Sequence, residues 1–112
     1  MRKLSSIVLL ALFVSPAFCA EQTFNNVPIV DTMCAKKVAA NPDAHTRDCA
    51  LECQGGGFAI VTSDHKVLKL DADGNQKILT QLKNSKKQDH LRVDVSGDVN
   101  GDTLKVKTIQ LE

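Results

Sequence analysis

A two-residue turn with alternating flanks constrains this chain more than any other feature. Leu91, Val93 and Val95 alternate with Arg92, Asp94 and Ser96. After Asn100-Gly101, Leu104 and Val106 alternate with Lys105 and Lys107. A period of two puts successive side chains on opposite faces of a strand, and Asn-Gly is favoured in tight hairpin turns because both residues accept positive φ. Each strand of this hairpin therefore has one apolar and one charged face, so the hairpin must cover a core. Val93, Val95, Leu104 and Val106 are the expected inward residues, with Thr108 extending the series. Gly97 is expected to mark a bulge or bend.

The segments before the hairpin supply the rest of a small mainly β domain with short helices. Glu21 to Asn26 is polar and reads as a lead-in. Val27-Pro-Ile-Val-Asp31 has strand-forming residues, with Pro28 suited to a strand start or edge. Cys34 to Ala40 reads as a short helical turn. Asn41-Pro42 then looks like an N-cap with proline at the first helical position. It opens a helix through His45, Cys49 and Cys53 that stops at Gly55-Gly-Gly57. Phe58–Thr62 and Val67–Leu70 form a second hairpin around Ser63–Lys66. Asp71-Ala-Asp-Gly-Asn75 resembles the start of a calcium loop, but position 12 is Leu82 and not glutamate, so a plain turn is expected. Ile78, Leu79 and Leu82 give Gln76–Lys83 the spacing of a short amphipathic helix. Five strands with a helix between the third and fourth is the order of the OB-fold, a partly open five-stranded barrel. The cysteine-bearing helix would be an insertion between strands 1 and 2. The domain plan is a signal peptide at residues 1–19, a lead-in at 20–26 and one OB-like domain at 27–112.

The N-terminus points to export. Met1-Arg-Lys3 is basic, Ile7 to Val14 is an apolar run too short to span a bilayer, and Ser15-Pro16 ends it. Cleavage after Cys19, give or take one residue, puts small residues at Ala17 and Cys19. Cys19 is a poor lipid-attachment site, because Pro16 and Phe18 precede it where leucine and a small residue belong. The mature protein is expected in the periplasm or secreted, with no membrane span. Removing Arg2 and Lys3 from the 14 basic residues leaves 12 against 13 acidic ones, a net charge of −1 with neutral histidines. That balance, and the absence of Trp and Tyr, argue against nucleic acid as a partner. A protein or another envelope component is the expected partner class.

Three cysteines would remain after cleavage, and exported thiols meet oxidising conditions. The preferred reading is a disulfide from Cys34 to Cys49 or Cys53. Closing a loop of about 15 residues contributes about 3 kcal/mol in the chain-entropy model. The alternative is a transition-metal site. Cys34, His45, Cys49 and Cys53 offer three sulfurs and one nitrogen, suited to Zn²⁺ or Cu(I), although the tight Cys-x-x-Cys knuckle is missing. A thiol enzyme or redox protein would need a base such as His45 beside Cys49. No phosphate loop, serine elbow or carboxylate pair accompanies it, so the chain reads as non-enzymatic. His65 and His90 read as surface residues.

Several of these segments together resemble a family of small exported bacterial domains of unknown function. The matching features are Asp31-Thr-Met-Cys34 followed by Lys36, and Cys49-x-x-x-Cys53 before a glycine. Gly57-Phe-Ala-Ile-Val61, Lys66-Val-Leu-Lys-Leu70, Leu91 to Gly97 and Gly101 to Val106 complete the pattern. The resemblance covers almost all of the mature chain and implies export and a small barrel. The family pattern Cys-Gly-x-Lys-His is broken here by Ala35 and Val38, so no metal role for that histidine carries over.

Overall fold

A computed structural model of the chain describes residues 21–112. The expected signal peptide, its expected cleavage site and Cys19 lie outside the described residues. Five strands close into a barrel: β1 (Glu21–Asp31), β2 (Phe58–Val61), β3 (Val67–Leu70), β4 (Arg92–Asn100) and β5 (Thr103–Leu111). Their order around the barrel is β1-β2-β3-β5-β4. All neighbours run antiparallel except β3 and β5, which pair in parallel through Lys69↔Thr103 and Leu70↔Leu104. The expected mainly β, OB-like five-stranded barrel is what forms.

Among the described residues, three helices complete the fold. Helices α1 (Ala35–Val38) and α2 (Arg47–Glu52) lie in the segment between β1 and β2, with short 3-10 turns at Pro42–Ala44 and Gln54–Gly56. Helix α3 (Ala72–Asn84) links β3 to β4. It begins earlier than its apolar spacing suggests, because Asp71 caps it. Asp71 Oδ1 accepts from the Gly74 N–H at 3.0 Å and from the Val106 N–H at 3.2 Å. The calcium-like Asp71–Asn75 run is thus a cap and a first helical turn. Ile78 and Leu82 from α3 are fully buried in the barrel core beside Ile29, Phe58, Ile60, Leu68, Val93, Val95 and Leu104.

Strand β2 is buried on both faces, and this explains the second hydrophobic cluster. Phe58 and Ile60 point into the barrel. Ala59 and Val61 point outward, where they meet Val30, Ala35 and the half-buried Val38 and Val67. The segment between β1 and β2 therefore roofs the outer face of those two strands.

Two sequence expectations change in the strands. The polar lead-in is part of β1, pairing with β4 from Glu21↔Asp98 to Phe24↔Val95. It looked unstructured because its side chains are mostly exposed and only Phe24 packs partly against the core. A register shift between Phe24 and Val27 follows, with Asn26 at φ 53°. Asparagine tolerates that left-handed conformation. In β5 the inward phase also slips. Gly97 pairs with Val106 and Ser96 with Thr108, leaving Lys107 as the extra residue of a bulge. Thr108 is exposed in consequence, and Ile109 takes the inward place. Gly97 is required there because a Cβ would sit 2.0 Å from the Lys105 carbonyl oxygen.

Candidate functional site

The site begins where β1 ends. Asp31 closes an apolar strand, opposite Phe58 at the start of β2, and is 0% exposed. A carboxylate there must find donors, since an unpaired buried charge costs several kcal/mol. It finds two. Oδ1 accepts the Cys34 N–H at 2.9 Å, and Oδ2 accepts from His45 Nε2 at 2.5 Å. His45 is itself 5% exposed, and its Nδ1 is buried without a hydrogen-bond partner among the described residues.

The chain then returns to the same place. Thr32 N–H donates to the Gly57 carbonyl at 3.0 Å, and Thr32 Oγ1 donates to the carbonyls of Gly57 and Gly56. Gly57 makes the exit at φ 82°, a conformation that favours glycine. These bonds tie the end of β1 to the end of the inserted segment. Cys34, just before α1, thereby meets Cys53, just after α2. An Asp31 carboxylate oxygen, Cys34 Sγ and Cys53 Sγ all lie within 4.8 Å of one another.

Of the expected set of Cys34, His45, Cys49 and Cys53, this grouping contains Cys34 and Cys53. The helix read from Asn41 to Cys53 is broken. Pro42–Ala44 is a 3-10 turn, and His45 and Thr46 are extended. Helix α2 restarts at Arg47, with Thr46 Oγ1 accepting the Cys49 N–H at 3.2 Å. The break lets His45 turn inward onto Asp31, so His45, Cys49 and Cys53 do not share one helical face. Cys49 is exposed and outside the cluster, while Cys34 and Cys53 are half-buried. His45 reaches the cluster through Asp31.

Asp31 escaped the sequence reading, although a signal was present. An acidic residue directly after Val-Pro-Ile-Val, three residues before a cysteine, is placed to bond back to that residue's N–H. His65 and His90 are exposed, as expected.

The electrostatics of Cys34 follow from its neighbours. Burial raises its thiol pKa above the ordinary value. The charge of Asp31, the hydrogen bond to Asp31 and the nearness of Cys53 add to this, against a smaller opposing effect of Lys37. The free thiol is thus held protonated, the reverse of an activated nucleophile.

A second fastening holds the insertion on the barrel. Arg92 on β4 pairs with Asp43 in the 3-10 turn through two hydrogen bonds, at 2.9 and 2.8 Å, and donates to the Asn26 carbonyl at 2.7 Å. Elsewhere, an open groove of about 660 Å³ is lined by Phe24, Val27, Thr62, Lys66, Leu68 and Val99 among others. It shares no residue with the cysteine cluster. Among the described residues no helix is long and apolar enough to cross a membrane. Comparison with family models, curated proteins and solved structures finds no match to this chain.

Proposed function

We propose that this protein is an exported, non-enzymatic binding domain whose functional centre is the Asp31–Cys34–Cys53 junction. In oxidising surroundings Cys34 and Cys53 would form a disulfide that staples the inserted roof to the end of β1. The observation that carries the reading is the meeting of the two sulfurs with a buried carboxylate, within 4.8 Å. Of the two pairings open to Cys34, only the one with Cys53 has its sulfurs in this cluster. Oxidation would remove two protons and two electrons, which a disulfide-exchange partner of the compartment accepts. The raised thiol of Cys34 and the engagement of His45 Nε2 with Asp31 both argue against thiol catalysis. The resemblance to small exported bacterial domains agrees with this reading.

The test is non-reducing peptide mapping of exported protein, alkylated at the moment of lysis. A Cys34–Cys53 cross-linked peptide with alkylated Cys49 is expected. A Cys34–Cys49 bridge, or three alkylated cysteines, would refute the staple.

A further inference from the structure

We propose that in the reduced protein Asp31, Cys34 and Cys53 bind one divalent transition-metal ion of the Zn²⁺ type, with a fourth position open to solvent. The inference rests on the reading of this junction as the functional centre, and it adds the class of ligand.

The donor set argues for that class. Two thiolates suit Zn²⁺ and other soft or borderline ions and exclude Mg²⁺ and Ca²⁺, which take oxygen ligands. Zn–S bonds of about 2.3 Å in a tetrahedral site place two sulfurs about 3.8 Å apart. The present spacing, within 4.8 Å, thus needs a closure of at most about 1 Å. Cys34 and Cys53 are half-buried and not sealed, so an ion and a fourth ligand have a route in.

His45 supplies the second, independent observation. A carboxylate that ligates a metal is commonly oriented by a further hydrogen bond, and these outer partners strongly affect affinity. Asp31 has such a bond to His45, and His45 is more than nine-tenths buried, with Nδ1 lacking a partner among the described residues. A histidine placed in this way makes little sense as a surface residue, but it fixes the direction in which the carboxylate presents its oxygens. His45 is thus a positioning residue, while Asp31, Cys34 and Cys53 are the ligands.

Binding and the disulfide exclude each other, because they use the same two sulfurs. On binding, the two thiols give two protons to water and two thiolates to the ion. A protein or small-molecule disulfide can then oxidise the pair. It accepts two electrons from the two thiolates and two protons from water to become two thiols, while the Cys34–Cys53 bond forms and the ion leaves.

The experiment uses mature protein reduced with a phosphine, then titrated with Zn²⁺ against a chromogenic chelator and with Co²⁺ by absorption. One ion per chain is expected, with thiolate-to-cobalt charge-transfer bands and release of two protons. Cys49→Ser should bind unchanged, and Cys53→Ser should lose at least about 100-fold in affinity, the upper range for outer-partner changes. Asp31→Asn should weaken binding while leaving both charge-transfer bands. If that variant does not fold, proton count and the two cysteine variants still decide. Absence of stoichiometric Zn²⁺ binding overturns the proposal. So does equal loss in Cys49→Ser and Cys53→Ser, or binding of Cu(I) alone, which needs only the sulfurs. A bridged exported protein whose reduced form binds no metal would sink this inference and leave the staple standing.

Discussion

His45→Ala is the substitution on which surface and buried readings of the histidine differ most. An exposed histidine can be truncated at a cost within about 0.5 kcal/mol. Here the ring is 5% exposed and holds one oxygen of a carboxylate that is itself 0% exposed. Truncation leaves that carboxylate with the Cys34 N–H as its remaining partner. Removing one member of a buried, hydrogen-bonded pair typically costs about 3–5 kcal/mol, and the lost ring volume adds to it. A domain of this size holds about 5–14 kcal/mol in total, so the loss is a large share. Taking 3 kcal/mol, with about 4–8 °C per kcal/mol, the melting temperature should fall by roughly 12–24 °C. The assay is urea unfolding of reduced protein in chelator, so that neither a disulfide nor a metal contributes. Asp31→Asn supplies the control, because the group left behind is then neutral. In that background His45→Ala should cost only about 1 kcal/mol, giving a coupling of about 2 kcal/mol or more. A loss below 1 kcal/mol in the single variant, or additive losses in the double, would refute the buried-pair argument.

Two other perturbations test the barrel and its roof. Val95 is 1% exposed and Lys105 is exposed, so Val95→Asp should destabilise by several kcal/mol in urea titrations while Lys105→Asp stays within about 0.5 kcal/mol. Equal tolerance of both would mean that the hairpin register is wrong. The Asp43–Arg92 pair should show in the acid limb of stability. The hydrogen bond from Arg92, aided by its charge, holds the Asp43 carboxyl below its usual value despite some desolvation. A lowered folded-state pKa means that the contribution is complete above the unfolded value, near 4, and is lost as pH falls through the folded one. Asp43→Asn should therefore cost about 1 kcal/mol at pH 7, where the pair is partly exposed, and progressively less below pH about 4. A pH-independent cost would show that Asp43 acts through packing alone.

The barrel was legible because its signals are local. Alternation around Asn100-Gly101, the paired runs at Phe58 and Val67 and the spacing of Ile78 and Leu82 each report a period that the backbone imposes. The first half of β1 was not legible. Glu21 to Asn26 is strand only because β4 offers it a partner, and such pairing leaves no mark on a polar sequence. The site was half legible, for a related reason. Cysteine spacing along the chain identified Cys34 and Cys53 but favoured a continuous helix through His45. That helix loses to a local competitor, Thr46, which caps a new start at Arg47. It loses also to a distant one, since Asp31 needs a donor and His45 reaches it only from extended backbone. The break thus traces in part to one buried carboxylate at a strand end, which is also the unexpected member of the cluster.

The position of that carboxylate also bears on how the fold can work. OB barrels commonly bind along the outer face of strands 2 and 3. In this protein the outward residues of β2, Ala59 and Val61, are 0% and 2% exposed beneath the inserted segment. Any ligand of that face would have to displace α1, whose start is held by the Asp31 bond to the Cys34 N–H and which is followed by the 3-10 turn that the Asp43–Arg92 pair holds to β4. The first tether depends on Asp31, Cys34 and Cys53, whose chemistry changes with oxidation. A bridged or metal-loaded junction should keep the roof down. A reduced, metal-free junction holds it by the Asp31 hydrogen bonds, the Thr32 bonds to Gly56 and Gly57, and a few small apolar contacts. Amide hydrogen exchange at Val38 and Asn41, whose N–H groups bond to the Cys34 and Val38 carbonyls within the roof, compared between oxidised and reduced chelated protein, reads this. Faster exchange on reduction is expected there, with β4 and β5 unchanged as the internal reference. Identical exchange in both states would mean that the junction is a fastening without influence on the roof.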